Sequence, residues 1–348
     1  ICSASAMHAA QVLLLFVLFY CVTSVPFHHV TDEDGYQYFC YGNCTDITTP
    51  TTPGMFLQGG GTDIDKGFEF LISQSGGGNF LVLRAAGTDA YNEYIYELGK
   101  VQSVATLIIT STKGSNSQFV YETILQAEAV FLAGGDQSKY IELWNNTLVK
   151  TAIETVRSKG VPVGGTSAGL HSLGFYIYTA ARGSVTSEEA LDNPYNYEVT
   201  LGDNFLVVSP YLMNVIFDSH FYQRDRMGRT ITFLARLITD YGGSYSDYIG
   251  IAMDEQSGMI VDSEGNAQVL NYAGEASEEH CIYLLQPTQD PTECEHRRPL
   301  GFPNVKVTRI MYQQTLNLVT LQTDSTAVYY LTANDGYLDS SQAGGAIY

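Results

Sequence analysis

Pro162–Phe175 reads PVGGTSAGLHSLGF. A short apolar run ends on two glycines, presents one serine among small neighbours, and continues as a helical pattern. A strand-to-helix corner at Gly165-Thr166-Ser167-Ala168-Gly169 forces its middle residue into a strained backbone, tolerated because the neighbours carry little or no side chain. Ser167 then projects from the corner near the positive end of the following helix. The N–H of Ala168 can face an oxyanion formed there. The same stretch also suits a plain anion-binding turn in which Ser167 is a helix N-cap.

Outward from this corner, short apolar runs alternate with helical stretches. Met55-Phe56-Leu57 leads into Gly59-Gly60-Gly61 and a helical Phe68–Ile72, and Phe80–Leu83 leads into a helical Tyr91–Leu98. Thr106–Ile109, Ala129–Leu132 and Val161–Val163 continue the strands, and Gln118–Gln126 and Lys139–Ser158 the helices. Strands separated by helices imply right-handed crossovers and an α/β fold with a doubly wound, mostly parallel sheet. Ligands of such sheets sit outside the carboxyl ends of the strands. The glycine clusters Gly59-Gly60-Gly61, Gly134-Gly135 and Gly164-Gly165 fall at those ends. Beyond Ile249 the chain turns β-rich, with IGIAM, MIV, AQVLNY, VTRI and AVYYL expected to extend the same core. No internal repeat is visible.

The 348 residues, 45% hydrophobic and 16% charged, suffice for one large domain. Seventeen Lys and Arg against 37 Asp and Glu give a formal charge of −20, which argues against nucleic acid or an anionic membrane as partner. Val12–Val22 is apolar throughout and too short to span a bilayer. It fits a signal peptide over residues 1–24 with a cut after Ser24, and hence a secreted protein. Residues 25–53 read as a tail and a Thr/Pro linker, TDITTPTTP at Thr45–Pro53, before a single domain from Gly54 to Tyr348. Outside the leader, Cys40, Cys44, Cys281 and Cys294 form an even set that suggests disulfides in any of three pairings. Zinc-type spacing is lacking, and no metal or cofactor is called for. Asn43-Cys44-Thr45 and Asn145-Asn146-Thr147 are glycosylation sequons.

A serine nucleophile needs a base that titrates near neutrality, which points to histidine. Of seven, His220 stands apart, in IFDSHFYQRDRMGR at Ile216–Arg229, beside three arginines in a cation-poor chain. Surface ion pairing is the plain account of those arginines, and Arg226 and Arg229, but not Arg224, share a helical face. Carboxylate recognition is the functional account.

GGTSAG around Ser167, FLAGGDQ at Phe131–Gln137, DSHFYQRDRMGR at Asp218–Arg229 and IGIAMDE at Ile249–Glu255 together resemble the cyanophycinase and dipeptidase E family, over about Gly54 to Val261. The resemblance implies a serine exopeptidase on a class I glutamine amidotransferase-like, flavodoxin-like fold with a β-rich C-terminal part. It implies Ser167 as nucleophile, His220 as general base and Glu255 as the carboxylate that orients it, with Asp254 and Asp218 as neighbouring alternatives. The oxyanion donors are then Ala168 and Gly134 or Gly135. Gln137, Asp218, Ser219, Arg224, Arg226 and Arg229 match substrate-pocket positions. The implied substrate is cyanophycin, an aspartate backbone bearing arginines, cut to β-Asp-Arg. Ser219 stands where the family motif has glutamine, which puts substrate identity in question and leaves isoaspartyl or Asp-X dipeptides as alternatives. A secreted binding protein without catalysis is the rival class, and nothing in the chain argues against a homodimer.

Overall fold

Alternate residues of one strand enter different cores. Met55 and Leu57 of the strand Met55–Gln58 face one buried cluster and Phe56 another; Leu81 and Leu83 of Asn79–Arg84 face the first, Phe80 and Val82 the second. A period of two that is apolar on both sides is what a sheet covered on both faces requires. Helices Asp65–Gln74 and Tyr91–Leu98 cover one face through Phe68, Leu71, Ile72 and Ile95. Helices Gln118–Leu125 and Leu148–Ser158 feed the other through Val120, Ile124, Val149 and Ile153.

The computed structural model describes residues 27–31, 34–206 and 209–348; the expected signal peptide lies outside the described residues. Among these, one sheet holds ten strands in the order Phe27–Thr31, Tyr36–Gly42, Ser103–Ile109, Asn79–Arg84, Ala129–Leu132, Val163–Thr166, Met55–Gln58, Ser257–Val261, Asn266–Asn271 and Thr315–Asn317. The five from Ser103–Ile109 to Met55–Gln58 are parallel. A second sheet holds eight strands: Tyr337–Ser340, Ala327–Asn334, Phe302–Ile310, Ile282–Gln286, Ile249–Met253, Val215–Asp218, Tyr176–Tyr178 and Leu201–Asp203. The three strands Ile249–Met253, Val215–Asp218 and Tyr176–Tyr178 are parallel. Val215, Phe217, Ile249 and Ile251 join the same buried cluster as Leu57 and Leu81, so the two sheets share a core. Helix Met227–Tyr241 covers the far face of the second sheet through Ile231, Leu234 and Ile238. No helix among the described residues is long and apolar enough to cross a membrane.

Several expectations need correction. The fold is mixed α/β with two large sheets, each with a parallel stretch flanked by antiparallel strands, rather than one mostly parallel sheet throughout, and the strands after Ile249 divide between the two. Short connections explain this: the turn at Asp262–Gly265 joins Ser257–Val261 to Asn266–Asn271 as an antiparallel pair, and a link that short cannot make a parallel crossover. Nor does the fold begin near Gly54. Tyr36–Gly42 pairs along the whole of Ser103–Ile109, a strand buried at every position that would otherwise present a bare edge. Thr45–Pro53 is a connection inside the fold, tied by Thr49 Oγ1 to Ser75 O (2.6 Å) and Thr52 N–H to Gln74 O (2.9 Å). The helix expected at Lys139–Ser158 is two, Gln137–Trp144 and Leu148–Ser158, because Asn146 takes a left-handed conformation (φ 58°). Of the four cysteines, Cys40 and Cys44 are bridged, while Cys281 and Cys294 are free and buried.

Candidate active site

Three corners converge at the carboxyl ends of parallel strands. Ser167 follows the strand Val163–Thr166 in the first sheet and opens the short helix Ala168–His171. His220 lies two residues past Val215–Asp218, and Glu255 two past Ile249–Met253; these strands are parallel neighbours, with Asp218 opposite Ala252. The His220 N–H donates to Gly59 O at 2.8 Å, tying the second sheet's corner to the end of Met55–Gln58 in the first.

The side chains form a relay. Ser167 Oγ lies 2.7 Å from His220 Nε2, and His220 Nδ1 lies 2.6 Å from Glu255 Oε1. Both Ser167 (φ 52°) and His220 (φ 46°) hold backbone conformations that cost non-glycine residues of order 1–3 kcal/mol, a strain kept only where surrounding structure imposes it. Two glycines make room. A Cβ on Gly169 would stand 2.0 Å from Leu132 O, so the helix crosses the neighbouring strand only without one. A Cβ on Gly60 would stand 2.4 Å from His220 Cε1, so this loop is the floor beneath the imidazole. Gln223 fixes the third member by accepting the Glu255 N–H at 2.8 Å.

Burial depresses the His220 pKa, the hydrogen bond to Glu255 opposes that, and Arg224 and Arg226 add to the depression; the balance keeps the ring neutral at lower pH than usual. Asp254 is not on the ring. It is wholly buried, accepts the N–H groups of Tyr222 and Cys281 at 2.9 Å each, and is pushed up to about 7 by burial.

A cavity of about 280 Å³ opens on Ser167, lined by Gly135, Gln137, His171, Ser219, Arg224 and Arg226 among others. Gly134 lies against Ser167, a Cβ there reaching 3.4 Å from the Ser167 Cβ. Asp136 caps the helix Gln137–Trp144, and Gln137 Nε2 donates to Tyr178 O at 3.3 Å.

The expected carboxylate-gripping arginines divide. Arg229, 1% exposed, is spent on Asp218: Nε donates to Oδ2 at 2.8 Å and Nη2 to Oδ1 at 2.5 Å. Burial alone would raise the Asp218 carboxyl, but Arg229 and then Arg226 outweigh it and hold it far below the usual range. Asp218 and Arg229 therefore form a buried strut beneath the pocket. Arg226 donates to Ser219 O at 2.8 Å and is partly buried; Arg224 is exposed and 3.9 Å from Glu255. Ser219 is buried, its hydroxyl 3.1 Å from His171 Nε2.

Sequence reasoning did not single out His171, four residues past Ser167. It is 2% exposed and burial presses it down to about 3, so it stays neutral beneath the cavity. Its place on the first turn after Ser167 was the available signal. The glycine floor under His220 was also missed, although the triple glycine advertised a close approach.

Residues 64–193 match Peptidase family S51. The cyanophycinase of Trichormus variabilis is 27% identical over 233 residues, covering 64% of this chain and 68% of that protein. The cyanophycinase of Geminocystis herdmanii is 24% identical over 183 residues, covering 52% of this chain and 60% of that protein. The crystal structure of a peptidase from an acI-B1 Actinobacterium covers 68% of this chain and 92% of its own, with a TM-score of 0.46 at 15% identity.

Proposed function

The chain is a serine-type peptidase of the cyanophycinase and dipeptidase E family, and from that premise we propose that Ser167, His220 and Glu255 are its catalytic residues and that it is an exopeptidase releasing β-Asp-Arg from cyanophycin. The observation that carries this reading is the unbroken relay from Ser167 through His220 to Glu255, at 2.7 and 2.6 Å, on a strained corner.

His220 Nε2 takes the Ser167 proton as the hydroxyl oxygen attacks the scissile carbonyl carbon. Glu255 accepts the Nδ1 proton, which fixes the tautomer and offsets the charge of the imidazolium. The oxyanion faces the N–H of Ala168 and one from Gly134 or Gly135. His220 returns the proton to the leaving amine, and water, deprotonated by the same ring, cleaves the acyl-enzyme. Arg224 and Arg226 receive aspartyl carboxylates, with Gln137 lining the same cavity, while the Asp218–Arg229 pair braces the corner that carries His220. Ser219 cannot supply the family glutamine's amide, and its hydroxyl is engaged by His171; this favours, as a second reading, activity on shorter isoaspartyl peptides.

Export is part of the proposal: the apolar run Val12–Val22 and the Cys40–Cys44 bridge both suit an oxidising compartment outside the cell. Ser167→Ala is expected to lower turnover of cyanophycin by at least about a thousandfold with the fold intact. Wild-type rates in that variant would sink the assignment.

A further inference from the structure

Asp136, the carboxylate that lines the Ser167 cavity, and the nearby Glu255 and Asp218 already have partners. Glu255 holds His220, Asp218 holds Arg229, and Asp136 accepts the N–H and hydroxyl of Ser138 at the start of its helix. A substrate that carries both carboxylates and guanidinium groups meets only half of its complement there.

The other half lies across the glycine loop. Gly60 packs on His220 and Gly61 beside Glu255; Thr62 and Asp63 follow at once and line a separate cavity of about 520 Å³. Three residues of chain span at most about 10 Å, so this cavity adjoins the hydrolytic corner. Tyr272, whose N–H donates to Gln256 O at 2.9 Å, lines this cavity too. Asp65, Arg84, Ala90, Tyr91 and Tyr94 complete the lining.

Its chemistry suits a planar cation. Tyr91 OH donates to Asp63 Oδ1 at 3.0 Å and Tyr94 OH to Asp65 Oδ1 at 2.7 Å, which orients each carboxylate through one oxygen. No ion pair involves either aspartate among the described residues; Arg84 donates instead to Ala86 O and Thr88 O of its own loop. The Tyr91 and Tyr94 rings are 6.3 Å apart at 53°, and Tyr272 is 60% exposed. Carboxylates beside aromatic faces recognise a guanidinium twice, by paired hydrogen bonds and by stacking. Burial also pushes Asp63 up to about 6, an unfavourable state that an incoming cation relieves.

We propose that this cavity is a subsite for a guanidinium-bearing side chain of the substrate, set beside the site of hydrolysis. The proposal rests on the peptidase reading above and extends it to substrate choice.

The test compares kcat/KM on isoaspartyl oligomers carrying arginine, lysine or citrulline, the last keeping arginine's shape without its charge. The wild type is expected to prefer arginine over citrulline by at least tenfold, and arginine over lysine by a smaller factor. Asp63→Asn with Asp65→Asn should bring the arginine-to-citrulline ratio to within about twofold of unity. An unchanged ratio overturns the subsite, and equal rates on lysine and arginine overturn the guanidinium assignment. Tyr272→Ala, at an exposed ring, carries the same test should the double variant not fold, with a threefold drop in the ratio expected and no drop overturning the proposal.

Calorimetry of agmatine binding to Ser167→Ala separates the two readings. If the wild type hydrolyses none of the oligomers, yet agmatine binds and Asp63→Asn with Asp65→Asn weakens that binding at least tenfold, the peptidase reading fails and the cation site stands. Agmatine binding that is absent, or indifferent to those substitutions, overturns the site.

Discussion

The corner that carries Ser167 and the corner that carries His220 and Glu255 meet at 2.7 Å, but they are made differently. The first is a local object: five consecutive residues, mostly small, bend a strand into a helix with no charged side chain among them. The second gathers residues far apart in the chain and holds them with charge, Asp218 against Arg229 underneath and Glu255 against the ring above. Strain fixes a single atom well, since one φ near 52° aims one hydroxyl. Charge can set a protonation state as well as a position, because the same carboxylate that orients an imidazole also tunes its affinity for a proton.

The sharpest break between the corners comes from the charged side. Glu255→Gln keeps the shape but allows the wrong tautomer of His220, and kcat is expected to fall by about 10³–10⁴ with thermal stability nearly unchanged. A loss confined to KM would show that Glu255 does not act through the ring. Asp218→Ala strikes the strut instead. It strands the Arg229 guanidinium in a site 1% exposed, and about 3–5 kcal/mol of stability should be lost in denaturant titration, beyond any effect on rate. If Asp218→Ala is as stable as wild type, the strut is not what holds this corner. A smaller effect separates position from charge: Gly60→Ala forces a Cβ to 2.4 Å from the imidazole at φ +103°, displacing the ring without altering any charge. About a hundredfold loss of kcat/KM is expected, with an unchanged pH profile.

The same contrast explains what the sequence disclosed. The Ser167 corner was legible because its causes are adjacent in the chain: Gly165, Ala168 and Gly169 are small for reasons that act within one turn. The parallel strands Met55–Gln58, Asn79–Arg84, Ala129–Leu132 and Val163–Thr166 were legible from their apolar runs and intervening helices. What could not be read was partnership at a distance. Arg229 reads as a ligand-binding cation until Asp218, eleven residues earlier, is seen to occupy both arms of its fork. Tyr36–Gly42 reads as a tail because nothing local says that it must shield Ser103–Ile109. The Asp63 cavity passed unremarked because Tyr91 and Tyr94 sit on a different helix from Asp65 and from the loop that carries Asp63, and the helix pattern around Tyr91 is equally well explained by core packing.

The smallest expected effect tests whether the charged corner tunes the ring. His220 must be neutral to accept the Ser167 proton, so kcat/KM falls on the acid side as the free enzyme's imidazole protonates. Burial lowers that pKa first of all, and Arg224 and Arg226 lower it further, while the hydrogen bond to Glu255 raises it. The acid limb should therefore lie below the ordinary histidine value of about 6.5. Arg224→Gln removes one of the lowering charges and leaves burial and Glu255 in place. Its acid limb should move upward by a fraction of a pH unit at low ionic strength, and added salt should shrink the difference, because Arg224 is exposed and its field is screened. A downward shift would mean that Arg224 acts on the ring chiefly by holding Glu255 in place, since its loss would then weaken the Glu255 hydrogen bond that raises the pKa; no shift at any salt concentration would confine Arg224 to substrate binding.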